Sequence, residues 1–539
     1  RSLVWGRTRV GTTKYAPRMI ALNKEITWVP PEVGEGRFGN WLEENKDWSL
    51  SRDRFWGTPL PLWICPGCSS QKCIGSVAEL REGKGVREPL DLHKPFVDEV
   101  TFQCACGGEM SRTPELIDVW FDSGAMPFAQ WHYPFENREL FESRHPADYI
   151  CEGIDQTRGW FYSLHSISTF LFDSPASKNI LVNELVLDKQ GQKMSKSKGN
   201  TVDPFTILER YGADSARWYI VSTSPPWRPT LFDEDGLTEV QRKFFGTLLN
   251  TYAFFSLYGN IDKFSSSAAP VPPGELQEID RWILSALHSL IKKYRSDMDA
   301  YEVTAASRSV TDFTIDQLSN WYVRRNRRRF WKSELGPDKI GAYQTLYTCL
   351  MTITKLMAPV APFIAEELYR NLNSVMKQEA AESVHLASIP EADESAIDAG
   401  LESRMEKAQR IVSLVRAIRN KSNLKVRQPL KRIILPIANE RDREAVSRVE
   451  EMILEEINVK KIEYVSDDSG IVHKTAKPNF KTLGPKHGKA VQAVAGAIRR
   501  LSPEEIRERE ARGSLTIALN GSVATIARED IEILREEIK

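Results

Sequence analysis

The sequence has no net charge, no long apolar run and only seven cysteines, and each of these features limits the class of protein it can encode. The 539 residues carry 73 basic and 73 acidic side chains, so any nucleic-acid binding must come from local patches. No apolar run approaches the length of a membrane span. The seven cysteines include five between Cys65 and Cys106. Such crowding favours a metal site in a reducing compartment over a disulfide framework, and we expect a cytoplasmic protein.

The crowded cysteines form two close pairs. Cys65 and Cys68 flank a Pro-Gly turn, and Cys104 and Cys106 precede two glycines. Four thiolates in this arrangement suit tetrahedral zinc. Because no coordination position stays open, the expected zinc is structural. Cys73 is a possible substitute ligand, and buried cysteines without a metal are the alternative interpretation.

A lysine-rich loop, residues 193–200, follows an apolar run of strand type. Lys193, Lys196 and Lys198 place three ammonium groups there, with small donors between them. Such a loop can clamp a polyphosphate and stabilise charge as a phosphoryl bond breaks. Asp203 and Pro204 then predict a helix start. Three lysines alone would more often form a solvated turn.

Two further stretches have the character of a ligand site. Residues 148–161 predict a strand, a turn and a helix, which places Glu152, Asp155 and Gln156 at the carboxyl end of the strand. There a carboxylate can hold an ammonium group, and a glutamine can bond a ribose or carboxyl oxygen. Residues 116–124 predict an apolar segment followed by a turn. Taken singly, Trp120 and Trp160 are more often core residues than pocket residues.

The second half of the chain has a helical pattern from Gln241 onward. It contains an arginine cluster without an acidic residue, flanked by aromatic side chains, which suits phosphate contacts and base stacking. The alternative is a solvated helix. The cluster consists of Arg324, Arg325, Arg327, Arg328 and Arg329. A second basic stretch, Arg416 to Arg432, also lacks acids. Residues 477–481 and 484–486 are predicted as loops, and residues 515–521 as the start of a hairpin.

Several of these strings resemble isoleucyl-tRNA synthetases, a family of class I aminoacyl-tRNA synthetases. The resemblance covers the chain from about residue 28 onward and rests on Lys193–Asn200, Trp56–Pro59, Asp118–Gly124 and Gly153–Trp160. It implies a multi-domain α/β plus all-α protein, with the second half of a Rossmann-type nucleotide-binding fold. The expected domains are a remnant of an insertion or linker (1–36), a return to the catalytic domain (37–62), a zinc-binding insertion (63–112), the catalytic half with the lysine loop (113–238), a helical anticodon-binding domain (239–430) and a C-terminal α+β domain (431–539).

The resemblance also implies roles for the matching residues. ATP would be bound with Mg²⁺ by Lys193, Met194, Ser195, Lys196 and Ser197, with Lys193 and Lys196 catalytic. The aminoacyl-adenylate would contact Glu152, Gly153, Asp155 and Gln156. Trp120 and Trp160 would line the isoleucine pocket, the arginine cluster would bind tRNA(Ile), and the protein would be a monomer without membrane contacts. Asn183 stands where some relatives carry a histidine.

One expected motif is missing. Class I synthetases also need a His-x-Gly-His segment, and none of the eight histidines stands in that pattern. The domain that hydrolyses misactivated valine is also not recognised. The sequence therefore predicts the C-terminal portion of an isoleucine–tRNA ligase. The alternative is a non-catalytic, zinc-stabilised tRNA-binding module, which would have no need for the lysine loop or the pocket residues.

Overall fold

The computed structural model describes residues 9–332, 334–437, 439–465, 472–502, 504–506, 508, 513–519 and 522–537. The chain forms two compact units, Arg1–Glu394 and Ser395–Lys539. Among the described residues, no helix combines the length and apolar character that crossing a bilayer requires.

The first unit contains thirteen strands and fifteen α-helices among its described residues. Its strands are β1 (Arg9–Val10), β2 (Thr27–Val29), β3 (Trp48–Ser49), β4 (Ser51–Arg52), β5 (Leu62–Ile64), β6 (Gln71–Cys73), β7 (Phe102–Gln103), β8 (Glu109–Arg112), β9 (Leu116–Ile117), β10 (Ile150–Gly153), β11 (Asn179–Asn183), β12 (Val186–Leu187) and β13 (Thr230–Leu231). Its helices are α1 (Thr12–Asn23), α2 (Gly39–Glu43), α3 (Val77–Leu80), α4 (Val119–Ala129), α5 (Arg138–Arg144), α6 (Trp160–Phe172), α7 (Pro204–Tyr211), α8 (Ala213–Thr223), α9 (Glu234–Glu239), α10 (Gly246–Ile261), α11 (Glu278–Asp299), α12 (Val303–Asp312), α13 (Arg324–Lys332), α14 (Pro337–Met357) and α15 (Pro362–Met376).

A three-stranded parallel sheet carries the candidate site. Its order is β10-β11-β2, and Gly153 lies opposite Asn183 in the register. Helix α6 connects β10 to β11, as parallel neighbours require. Trp28, Phe161 and Val182 are buried in the core that joins the sheet to its helices. The predicted strand, turn and helix of residues 148–161 are confirmed, because β10 leads through a 3₁₀ turn into α6.

The first unit contains two further modules, one between β2 and β10 in the sequence and one after β13. The first is a four-stranded antiparallel sheet, ordered β6-β5-β8-β7, around the buried ring of Trp63. The second is a bundle formed by α10 to α15. Within it, α12 continues through a π-helical segment, Phe313–Val323, into α13. The expectation of an α/β part with a cysteine-rich insertion, followed by a helical part, is confirmed.

The second unit mixes helices with paired strands. Its helices are α16 (Ala399–Lys421), α17 (Glu440–Ser447), α18 (Glu450–Ile457), α19 (Phe480–His487) and α20 (Val491–Arg499), and its strands are β14 (Ile433–Pro436), β15 (Ile462–Val465), β16 (Val472–Pro478), β17 (Ser514–Leu519), β18 (Ser522–Ala527) and β19 (Ile531–Glu537). Strands β14 and β15 are parallel, whereas β16 with β19 and β17 with β18 are antiparallel. The predicted hairpin is present as β17 and β18, and its turn at 520–521 lies outside the described residues.

Two local predictions were wrong. Residues 116–124 do not end in a turn, because Asp118 accepts a hydrogen bond from the backbone N–H of Trp120 and starts helix α4. Residues 477–481 and 484–486 are not loops, because strand β16 runs to Pro478 and Asn479 caps helix α19. In both cases a single capping side chain begins a helix that the apolar pattern does not show.

Candidate functional site

The lysine loop leaves its three ammonium groups in solvent. Lys193, Lys196 and Lys198 are exposed, and no carboxylate of the described residues forms a salt bridge with any of them. A short 3₁₀ turn spans Lys196–Lys198, and Gly199 closes it at φ 65°, where glycine is favoured. The predicted helix start is confirmed, because Asp203 caps α7 and Pro204 occupies its first turn. The loop therefore presents unpaired cations on an ordered backbone.

Asp188 and Asn200 hold this backbone, and sequence reasoning gave neither a role. The side-chain amide of Asn200 donates to Asp188 Oδ2 at 2.8 Å, and its Oδ1 accepts from the Ser195 N–H at 2.9 Å. The other Asp188 oxygen accepts from two backbone N–H groups of its own turn. The Asn200 hydrogen bond, followed by the Gln192 N–H, lowers the pKa of Asp188. An Asp with Gly three residues later was the available signal for this turn.

The carboxyl end of β10 presents the predicted polar group. Glu152 and Gly153 end the strand, and Asp155 and Gln156 follow in the 3₁₀ turn. Gln156 donates to Asp155 Oδ2 at 2.8 Å and accepts from the Trp160 N–H at 2.9 Å. Glu152 and Asp155 are exposed, so both carboxylates are available to a ligand. This matches the expected position at the end of a parallel strand.

Trp120 contacts the turn that precedes Trp160. Trp160 Nε1 donates to the Ser123 carbonyl at 2.9 Å, which links α6 to α4. A Cβ placed on Gly159 would lie 2.7 Å from Gln156 Oε1 and 3.1 Å from the Trp120 ring. Trp120 is 43% exposed, which is unusual for a core tryptophan. The Trp120 ring therefore lies beside Gly159, the residue that precedes Trp160.

A buried carboxylate fixes the start of α4, and with it Trp120. Asp118 is 4% exposed and pairs with Arg52 at 2.5 Å, while Trp48 Nε1 donates to the same oxygen at 2.8 Å. Asp122, one turn later, accepts from Thr58 at 3.0 Å. Partial burial raises the pKa of Asp122, the Thr58 bond opposes that change, and the charge of Asp118 adds to it. Residues 48–58 thus hold the first turn of α4, which carries Trp120, through Trp48, Arg52 and Thr58.

A cavity of about 710 Å³ opens beside β10. Glu152 and Trp160 line it together with apolar side chains of α4 and α5, among them Met126 and Phe141. The lysine loop, Trp120 and Gln156 are not among its lining residues. Within the described chain, the structure thus brings Glu152 and Trp160 to one cavity.

Asn183 lies opposite Gly153 on β11 and donates to the Cys151 sulfur at 3.1 Å.

The two cysteine pairs form one cluster. Their four sulfur atoms lie within 4.8 Å of one another, with 3.6 Å between Cys65 and Cys106 and 3.5 Å between Cys68 and Cys104. Four thiolates at about 2.3 Å from a zinc ion would lie ~3.8 Å apart. A Cβ on Gly108 would lie only 3.0 Å from the Cys65 sulfur, so this glycine leaves room for the cluster. Cys73 lies outside the cluster, and the donor set fits zinc.

Two of the four thiols, those of Cys68 and Cys106, have pKa values that differ from the ordinary value of a cysteine. Hydrogen bonds with Ser70 lower the pKa of the Cys68 thiol to about 6. The Gly108 N–H lowers the pKa of Cys106, but hydrogen bonds with the three other thiols outweigh it and raise the value to about 12. The two shifts have opposite directions because the neighbouring thiols interact with one another, and a metal ion would bind all four as thiolates.

The arginine cluster is divided by burial. Arg327 and Arg328 are exposed on α13, while Arg324 and Arg325 are half-buried. Arg325 lies over the Trp321 ring, 5.8 Å from its centroid. Arg329 faces inward and pairs with Asp280 and Asp338. The cluster therefore does not form one continuous exposed surface.

Family models match two parts of the chain. Residues 9–229 match the model of tRNA synthetases class I (I, L, M and V), and residues 280–435 match the anticodon-binding domain of tRNA ligase. The second match runs past the end of the first compact unit, so the predicted boundary near residue 430 stays a prediction.

Curated relatives cover nearly the whole chain. It is 50% identical over 538 residues to the isoleucine–tRNA ligase of Cytophaga hutchinsonii, covering 98% of this chain and 48% of that protein. The isoleucine–tRNA ligases of Bacteroides fragilis and Thermus thermophilus are 49% and 45% identical, covering 98% of this chain and 49% and 50% of their own lengths. The chain thus spans about half the length of these relatives, as expected of a portion of such an enzyme.

Solved structures share the fold at low identity. The agnB2 LeuRS of Agrobacterium radiobacter K84, in ternary complex with tRNA and LeuAMS, matches with a TM-score of 0.50 at 23% identity, covering 66% of this chain and 43% of that one. Methionyl-tRNA synthetase of Mycobacterium tuberculosis, bound by methionyl-adenylate, matches with a TM-score of 0.51 at 19% identity, covering 72% of each chain.

Proposed function

Since the chain belongs to the class I aminoacyl-tRNA synthetases, with an anticodon-binding domain after the catalytic part, we propose that it acts in an isoleucine–tRNA ligase. The carboxylate of L-isoleucine attacks the α-phosphorus of ATP, the bond to the β-phosphate oxygen breaks, and pyrophosphate leaves. A ribose hydroxyl of tRNA(Ile) then attacks the adenylate carbonyl and AMP leaves. The names of relatives that match 98% of this chain support the choice of isoleucine.

The lysine loop is the structural observation that carries this proposal. Its three exposed cations have no salt-bridge partner among the described residues, and Asn200 orders the backbone that bears them. We assign ATP binding to Lys193, Met194, Ser195, Lys196 and Ser197. Lys193 and Lys196 stabilise the charge that develops as the phosphates separate. Mg²⁺ that arrives with ATP would supply further positive charge to the phosphates.

The adenylate and the amino acid are assigned to the β10 end of the site. Glu152 and Asp155 offer carboxylates to the isoleucine ammonium group, and Gly153 and Gln156 lie beside them. The rings of Trp120 and Trp160 form the walls of the side-chain pocket. Catalysis then depends on positioning and electrostatics, without a covalent nucleophile.

The cysteine cluster and the exposed arginines are assigned to zinc binding and to tRNA binding. Cys65, Cys68, Cys104 and Cys106 would hold a structural zinc through four thiolates. The exposed arginines Arg327 and Arg328 contact tRNA, with Arg324 and Arg325 beside them. We also propose that the protein is a monomer, that it acts in the cytoplasm and that it has the six domains predicted from the sequence.

The test is isoleucine-dependent exchange of labelled pyrophosphate into ATP by the complete enzyme. Lys196→Ala should lower turnover by about 10²–10³-fold with a smaller change in ATP affinity, because the charge is needed mainly as the phosphates separate. Lys243→Ala, an exposed lysine in an i,i+4 pair with Glu239, is the control and should exchange normally. Unchanged turnover in Lys196→Ala contradicts the role of the loop. A complete protein that binds tRNA(Ile) but never exchanges pyrophosphate is instead the non-catalytic module.

A further inference from the structure

The second basic stretch, Arg416 to Arg432, forms an ordered surface that the proposed function has not used. It runs from the end of α16 to β14, inside the second unit. Its exposed part, residues 421–432, is called the basic loop. No acidic residue interrupts the stretch. Whether it is a solvated turn or a binding surface depends on how the backbone and the cations are held.

A buried guanidinium supports the loop from beneath. Arg419 is 2% exposed and pairs with no carboxylate among the described residues. Instead it donates to the carbonyls of Lys425 and Gln428 at 3.0 and 3.1 Å, and to those of Ile457 and Asn458 at 2.8 and 3.1 Å. The last two carbonyls end helix α18, where the helix dipole favours a cation. Burying a guanidinium group costs free energy unless its N–H groups are hydrogen-bonded. These four hydrogen bonds offset that cost and hold the loop backbone at Lys425 and Gln428.

Asn458 completes the support. It has a left-handed conformation, and its side-chain amide donates to the carbonyls of Val426 and Arg427, both at 3.0 Å. Together with Arg419, it satisfies the four consecutive carbonyl groups of residues 425–428. Since these oxygens are bonded toward the protein, the outer face of the loop has fewer negative groups than a free turn. A loop held in one conformation also loses little entropy on binding.

Lys421 takes part in an interaction within the chain, and three further cations remain on that outer face. Two others are used within the protein, because Arg416 pairs with Glu456 at 2.6 Å and Arg432 pairs with Glu463 at 2.7 Å. Lys425, Arg427 and Lys431 are exposed, and none forms a salt bridge within the described part of the chain. The buried charge of Arg419 lies beneath them and adds to the local positive potential. This fixed concentration of charge contrasts with a chain whose net charge is zero.

We propose that the basic loop binds the phosphate backbone of tRNA through Lys425, Arg427 and Lys431. This rests on the proposed function, which supplies the RNA. Lysine and arginine contacts to phosphate position an RNA without reading its sequence. The loop would therefore contribute to affinity for any tRNA, whereas the choice of tRNA(Ile) would depend on other contacts.

The experiment measures binding of the full chain to a tRNA(Ile) transcript by fluorescence anisotropy, between about 50 and 200 mM KCl. Lys425→Gln, Arg427→Gln and Lys431→Gln should each weaken binding about 5- to 10-fold near 0.1 M salt and reduce the salt slope by about 0.7–0.9. Lys481→Gln, an exposed lysine of the same unit on α19, is the matched control and should leave both quantities unchanged. The same losses should appear with a tRNA that carries another anticodon.

Each outcome separates this inference from the proposed function. If the unaltered chain binds no tRNA, both fail. If it binds tRNA and the three loop variants match Lys481→Gln, only the loop assignment is overturned. A loss seen with tRNA(Ile) alone, at constant salt slope, contradicts phosphate contact and indicates that the loop reads bases.

Discussion

Arg329 forms a two-pronged ion pair with a carboxylate that has no contact with solvent, that of Asp280. The Nη1–Oδ1 distance is 2.8 Å and the Nη2–Oδ2 distance is 2.9 Å, and the Tyr322 hydroxyl donates to Oδ1 at 2.6 Å. Burial lowers the pKa of Arg329, but the Asp280 bonds outweigh it and leave the pKa above its ordinary value. The pair joins α13 to α11, so this arginine stabilises the helical part.

Replacing Arg329 should therefore cost stability. Arg329→Gln leaves Asp280 buried without its cation, and such a loss typically destabilises a protein by about 3–5 kcal/mol. Arg328→Gln, one position earlier and exposed, should change the free energy of unfolding by less than about 0.5 kcal/mol. Thermal and urea unfolding of the two variants check this. Equal stability of the two variants would contradict the structural role of Arg329.

The exposed members of the cluster should affect RNA binding instead. Replacing Arg327 or Arg328 singly with Gln should lower tRNA(Ile) affinity and reduce the salt slope by about one unit for each lost phosphate contact. Amino-acid activation without tRNA should be unchanged, because the adenylate residues lie on β10 and its turn. Titrations over a range of salt concentrations check this. Wild-type slopes in both variants would show that the exposed arginines form only a solvated face.

The cysteine cluster should bind one zinc ion per chain. Elemental analysis of the purified protein should find one equivalent, which is lost in Cys104→Ser because three sulfurs hold zinc less tightly than four. Cys73→Ser is the matched control, since Cys73 lies outside the cluster, and it should keep the metal. Metal-free wild-type protein, or zinc lost equally in both variants, would contradict the assignment.

Sequence patterns located the main parts of the molecule because their signals are local. The spacing of two cysteine pairs, the strand-turn-helix of residues 148–161 and the Asp203-Pro204 helix start each depend on neighbouring residues, and the structure contains all three. The roles of the individual ligand-binding residues stay predictions.

The contacts that hold the site come from distant pairs of residues, so the sequence does not show them. Asp118 and Arg52 are 66 residues apart and meet where strand β4 pairs with β9. Arg329 and Asp280 are 49 residues apart and meet only when α13 packs near α11. The support of the lysine loop by Asn200 and Asp188 was missed for another reason. The two residues are only 12 positions apart, but many exposed polar turns contain the same residue types.

The hydrogen bonds of Asn200 lead to a prediction about pH. Asp188 titrates below its ordinary value in the folded loop, and the Asn200 amide is the largest cause. A lowered carboxyl pKa contributes stability above the unfolded pKa, and this contribution disappears as pH falls through the folded pKa. The lysine loop should therefore stay ordered between about pH 5 and 8 and lose order below about pH 4. Hydrogen exchange of residues 193–199 across this range measures the order of the loop.

Asn200→Ala removes the main cause of the shift. The pKa of Asp188 should rise toward its ordinary value, so the loop should lose order at a higher pH than in the wild type. Pyrophosphate exchange by the complete enzyme should fall at neutral pH, because the backbone that carries Lys193 and Lys196 has lost the bond to the Ser195 N–H. Gln190→Ala is the control, since only the backbone N–H of Gln190 bonds to Asp188. If Asn200→Ala has the exchange protection and turnover of this control at every pH, Asn200 does not position the loop.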